Sequence, residues 1–181
     1  QRGSYVSDRS LRFDFSHFQK MTDEELQQLE DMVNDKIRAN IPLDEQRAIP
    51  VEEAKTAGAM MLFGEKYGDL VRMITFDPEF SRELCGGTHV QATGEIGLFK
   101  IVSESAVAAG IRRIEAITAD QAQNFIKVEL GTLDALRGLF KNSKDVLRSA
   151  TALQEENKAL KKEIERLQAA QAAGLKDDLL K

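Results

Sequence analysis

Glu83-Leu84-Cys85-Gly86-Gly87-Thr88-His89-Val90, followed shortly by Thr93-Gly94-Glu95-Ile96-Gly97, is the stretch around which the chain can be read. Cys85 is the only cysteine, and His89 is one of two histidines. Thiolate and imidazole are ligand types suited to zinc. Four positions apart they would share one face of a helix, but two adjacent glycines disfavour a helix there. A glycine-rich turn can instead bend both side chains onto one ion and leave backbone amides open to a substrate. The plainer reading is a structural Cys/His pair, since a zinc site takes three or four ligands. The other histidine, His17, shares a period-two face with Phe13 and Phe15, so a packed histidine is expected. The chain alone therefore does not complete a zinc site unless carboxylates or a further segment contribute. Thr88 is a candidate for positioning a hydroxyl or water, or it merely holds the turn through its own backbone.

Outward from this stretch, two regimes are visible. Residues 1–118 mix strand and helix patterns and hold all three prolines. Leu11, Phe13 and Phe15 alternate with Arg12, Asp14 and Ser16 as in a half-buried strand. Thr22-Asp23-Glu24-Glu25 is a capping box, and Leu26, Leu29, Val33 and Ile37 follow at helical spacing. An amphipathic helix is expected over 23–39, ended by Pro42, then an edge strand over 43–49 and a short helix from Val51 to Thr56. Val71–Phe76 reads as a strand. Ile96–Ser103 and Arg113–Thr118 read as neighbouring strands joined by the small-residue stretch Ala106–Gly110. The expected fold class is α+β.

Residues 119–181 read as helical. Val146, Leu153, Leu160 and Leu167 recur every seven residues, with Ala150, Asn157, Ile164 and Gln171 offset by four. That is a heptad pattern with a polar a residue, Asn157, and with Glu156 and Lys161 beside the seam. Three arrangements fit it: a coiled coil between two chains through 146–171, a helix folded back on 132–142, or a lone amphipathic helix docked on a larger protein.

The hydrophobic fraction of 42% and the charged fraction of 30% are those of a globular protein. No apolar run spans the roughly 20 residues a bilayer requires. A single cysteine excludes an internal disulfide framework and suits a reducing compartment, so a cytoplasmic location is expected. The net charge of −5 does not advertise a nucleic-acid partner, although a basic patch can sit on an acidic chain. The chain opens on Gln1 rather than methionine, which reads as a fragment.

The quoted run resembles the signature of the editing domain of alanyl-tRNA synthetases and of their free-standing relatives. Ser103-Glu104-Ser105 and Ala109-Gly110-Ile111-Arg112-Arg113-Ile114-Glu115-Ala116 are similar to it as well. Leu11–Phe18 and Gly58–Tyr67 match the synthetase form, so the resemblance covers about residues 1–118. Threonyl-tRNA synthetases carry a related domain whose cysteine–histidine segment is shorter. The resemblance implies an editing domain of the threonyl/alanyl type followed by a coiled-coil-like stalk.

It also implies hydrolysis of Ser-tRNA(Ala) and Gly-tRNA(Ala), with alanine attached by ATP elsewhere in the parent ligase. Cys85 and His89 match zinc-ligand positions, and a family H-x-x-x-H pair upstream of Gln1 supplies the other two. Gln1 matches a glutamine near the amino-acid pocket. Arg112, Arg113 and Lys66 are candidate contacts to the 3′ acceptor end of alanine tRNA, with Tyr67 beside them; neither membrane nor DNA is expected as a partner. With half its zinc ligands, the polypeptide is expected not to edit alone. Two other functions fit: a free-standing trans-editing hydrolase, which the stalk disfavours, and a non-catalytic dimerisation or RNA-docking module.

Overall fold

The computed structural model describes residues 2–61, 67–141 and 143–179, with side chains as far as residue 172. Contacts divide the chain into Gln1–Ile126 and Lys127–Lys181. The first turns of the helix that begins at Ala119 thus fall in the first unit, where Ala122 is fully buried.

Two sheets organise the first unit. The larger has the order β1-β2-β7-β6, built from β1 (Gly3–Val6), β2 (Leu11–Ser16), β6 (Lys100–Ala108) and β7 (Ile111–Ile117), antiparallel throughout. The smaller has the order β3-β4-β5, from β3 (Asp44–Pro50), β4 (Leu70–Thr75) and β5 (Arg82–Leu84). Each sheet buries one face against a helix. Ile37 and Val33 of α1 (Asp23–Arg38) pack with Ala116, Leu11 and Ile101 on the larger sheet and with Phe99 just ahead of β6. Ala54 of α2 (Val51–Thr56) packs with Val71, Met73 and Leu84 on the smaller.

Local chemistry explains these elements. The Thr22 hydroxyl accepts the Glu25 N–H at 3.2 Å, and the Glu25 carboxylate accepts the Thr22 N–H at 2.8 Å, so the capping box forms as expected. Asn34, buried on the inner face of α1, donates to the Phe99 carbonyl at 2.9 Å and accepts the Phe99 N–H at 2.9 Å. This amide joins helix to sheet without orphaning a backbone group. β3 carries a bulge between Gln46 and Ile49, with Ala48 at φ +54°.

Several expectations need adjustment. Ile96 closes a 3-10 turn, Thr93–Ile96, and β6 starts only at Lys100. The strand then runs through Ala106–Ala108, leaving only Ala109 and Gly110 to turn the chain; Gly110 takes φ +69° there. β1 and β5 were not anticipated at all.

In the second unit, α3 (Ala119–Leu139) continues past residue 126, and α4 (Val146–Leu179) is one uninterrupted helix. Asp145 caps α4 by accepting the Arg148 N–H at 2.9 Å. Leu153, Leu160, Ile164 and Leu167 are each more than half exposed, so nothing among the described residues covers the heptad seam. The fold-back onto the preceding helix is thus not what the structure adopts. Among the described residues, no helix is long and apolar enough to cross a membrane.

Candidate functional site

β5 ends at Leu84, whose buried side chain fixes where the glycine-rich segment leaves the sheet. The Leu84 N–H donates to the Met60 carbonyl at 3.2 Å, and the Cys85 N–H to the Arg72 carbonyl at 3.2 Å. Cys85 to His89 then form an irregular loop rather than a helix, as the paired glycines require. Downstream, the buried Thr93 anchors the chain. Its hydroxyl accepts the Ile41 N–H at 2.8 Å and donates to the Lys36 carbonyl at 2.7 Å. A bridge between Pro42 and Ala92 adds to this anchor. The loop is therefore pinned upstream by β4 and downstream by the last turn of α1 and the Ile41–Pro42 segment that follows it.

Within the loop, the Gly87 N–H points at the Cys85 sulfur at 3.4 Å. The His89 ring lies 6.4 Å from that of Phe76, tilted by 49°, and its Nδ1 is buried with no hydrogen-bond partner among the described residues. His89, Thr88 and Gln91 line a cleft of about 490 Å³ with Glu45, Arg47 and Arg72. Cys85 lines a second cleft of about 230 Å³ beside Tyr67 and Leu70, and Arg72 and Gly86 belong to both. Thr88 is exposed, and its hydroxyl makes no hydrogen bond among the described residues.

The fit to zinc is half a set. Cys85 and His89 are donors of the right chemistry on one short loop, and a buried, unpaired imidazole nitrogen is what a metal ligand leaves behind. Yet among the described residues no group of three or more His, Cys, Asp or Glu could hold a metal. His17 is not a third donor. It sits just past β2, half-buried, with its ring 6.1 Å from that of Phe15.

The remaining sequence candidates are placed as follows. Arg112 forks onto Glu104, one arm at 2.5 Å, and Arg113 onto Asp14 at 2.7 and 2.9 Å. Glu115, beside them on β7, accepts the Ser103 hydroxyl at 2.8 Å. The hydrogen-bonded guanidiniums hold both Asp14 and Glu104 below the usual carboxylate range. Gln1 and Lys66 lie outside the described residues. A further cleft of about 350 Å³ between α1 and β6 contains Lys100 and Glu30, which neutralise each other at 2.9 Å.

Sequence reasoning missed Arg72, Glu45 and Arg47. Arg72 interrupts an apolar strand between the buried Val71 and Met73, which is the signal that could have found it. Glu45 receives Arg47 at 2.7 and 3.0 Å and Arg72 at 2.5 Å, and these hydrogen bonds, Arg47 foremost, pull its carboxyl down to about 2.

Comparison with known proteins bears on this arrangement. A family profile described as the threonyl and alanyl tRNA synthetase second additional domain matches residues 71–115, from β4 through the loop to β7. An alanine–tRNA ligase of Cytophaga hutchinsonii is 57% identical over the whole of this chain and 21% of its own length. Those of Bacteroides fragilis and Salinibacter ruber are 54% and 47% identical over 100% and 99% of the chain. The chain is related along its full length to alanine–tRNA ligases. It spans about a fifth of the length of these relatives and carries, at residues 71–115, a domain of the threonyl and alanyl synthetase kind.

Proposed function

We propose that this chain forms part of the proofreading site of an alanine–tRNA ligase, which attaches alanine to its tRNA using ATP in other domains. The proposed reaction is hydrolysis of the ester that joins serine or glycine to alanine tRNA. Water adds to the ester carbonyl carbon, and the bond to the ribose oxygen breaks, releasing the amino acid. A pocket that accepts alanine rejects a missing methyl or an added hydroxyl only weakly, so a second, hydrolytic site is needed.

The observation that carries this reading is the His89 Nδ1, buried and without a partner among the described residues, on the same pinned loop as the Cys85 thiol. We assign Cys85 and His89 as two zinc ligands, the others coming from outside the described residues. When bound, zinc supplies charge that polarises a carbonyl or activates water. The chain's own residues bind and orient. Thr88, exposed and with no hydroxyl hydrogen bond among the described residues, is proposed to position the serine hydroxyl or a water. Arg113 is the more exposed of the two candidate contacts to the acceptor end. Both arginines spend Nε and Nη2 on carboxylates, which leaves Nη1 for a phosphate. Gln1 and Lys66 keep the roles that the resemblance implies for them. The setting is the cytoplasm, consistent with the single unpaired cysteine.

The α4 heptads are proposed to pair two chains in parallel. In that register Glu156 at position g faces Lys161 at e of the second chain, and Asn157 meets Asn157.

Deacylation of serine-charged alanine tRNA by the full-length ligase, with zinc content measured alongside, tests the assignment. Cys85→Ala is expected to lose both the metal and hydrolysis of the mischarged tRNA while aminoacylation persists. Unchanged deacylation in that variant refutes the reading. The 181-residue polypeptide alone is expected to be inactive, because a catalytic zinc needs at least three protein ligands.

A further inference from the structure

Among the described residues, one side chain from outside the loop, that of Arg72, hydrogen-bonds the main chain of the Cys85–His89 segment. Arg72 sits in the middle of β4, the central strand of the smaller sheet, on the face opposite Val71 and Met73. Its Nη1 donates to the Cys85 carbonyl at 3.1 Å and also to the Gly87 carbonyl. Its Nε donates to Glu45 on β3 at 2.5 Å. The Arg72 backbone carbonyl receives the Cys85 N–H. One residue thus grips the loop from both main chain and side chain, across thirteen and fifteen positions of sequence.

The chemistry suits only arginine. A guanidinium is a rigid planar fork of five donors, able to meet a carboxylate on one edge and two carbonyls on another. A lysine ammonium carries the same charge with no such plane. Glu45 fixes the plane of the fork, and Arg47, at 2.7 Å from Glu45 on the solvent side, fixes Glu45 in turn. The Cys85 and Gly87 carbonyls bracket Gly86, so the clamp acts across the adjacent glycine pair whose backbone freedom would otherwise leave the turn loose. With both carbonyls held, the Cys85 sulfur keeps one position relative to the segment leading to His89.

We propose that Arg72, oriented by Glu45, is a positioning residue that holds the Cys85–His89 loop in the one geometry its two metal donors need. The inference rests on the metal reading above. It assigns no contact with substrate to Arg72; the residue acts through the loop. Residues that orient metal ligands typically contribute about 10–100-fold in affinity or activity.

The test uses the full-length ligase with Arg72→Lys and Glu45→Gln. Three quantities are read: zinc affinity by chelator competition, kcat and KM for deacylation, and hydrogen exchange of the Gly86–Thr88 amides in metal-free protein. Arg72→Lys is expected to weaken zinc binding about 10-fold or more. It should lower kcat with KM little changed, and speed exchange in the loop while leaving β4 protected. Glu45→Gln should shift all three the same way by less. If Arg72→Lys does not fold, Glu45→Gln alone decides, since it alters the fork without removing it. Wild-type zinc affinity, kcat and exchange in the folded variants overturn the proposal. Should wild-type protein bind no zinc, the metal reading fails by itself; unchanged loop exchange then also removes the clamp, and faster exchange retains it as a loop-positioning device.

Discussion

Asp14 and Glu104 set a pH dependence that can be assigned residue by residue. Hydrogen bonds from Arg113 and Arg112 lower their pKa values from the ordinary 3.8 and 4.5. A carboxyl lowered on folding contributes stability that is complete above its unfolded value and is lost as pH falls through its folded one. Denaturant titrations at pH 6 and pH 3 are therefore expected to show a loss of stability on acidification that Asp14→Asn and Glu104→Gln each reduce. Variants and wild type should converge at the acid end. These pairings also show why the site was only partly legible. Cys85, Thr88 and His89 fall within one short stretch and could be read together. The partner of Arg113 lies 99 positions away and becomes visible only once β2 and β7 are in register. Arg72 was hidden for the same reason: its carbonyl partners depend on where β5 ends.

At the scale of elements, Asn34 carries the junction between α1 and the larger sheet. Replacing it by leucine keeps the bulk but leaves the Phe99 N–H and carbonyl without their side-chain partner. An orphaned buried group costs about 1–3 kcal/mol, so Asn34→Leu should destabilise the domain by at least that much in chemical denaturation. Gly97 makes a second joint. At φ +70°, with the Ala119 Cα 3.1 Å from where a Cβ would stand, it lets the 3-10 turn pass beneath the start of α3. Gly97→Ala is expected to cost about 1 kcal/mol or more, read as a lowered Tm. Helix α1 and strands β2, β4 and β7 were readable because cap residues, helical spacing and period-two runs are local signals. β1 and β5 have only four and three residues, and their pairing is imposed by the strands beside them.

For the molecule as a whole, the seam on α4 is an apolar stripe that the described residues leave exposed. If two chains pair there in parallel, sedimentation equilibrium of the 181-residue chain should report a dimer. Leu160→Asp combined with Leu167→Asp should give a monomer with its editing-type unit still folded. Asn157→Val should raise the thermal stability of the paired helices and relax their register. The heptads were legible because their repeat is internal to one helix; what covers them is a property of a second molecule. The bulge in β3 bears on the permitted length of the chain. Gln46 pairs with Met73 and Ile49 with Val71, so three steps on one strand meet two on the other. Deleting Ala48 would regularise the ladder and set Arg47 directly across from Arg72, a like-charge opposition that sheets resist. Natural length variation is accordingly expected to spare this strand and to gather in the turns between elements.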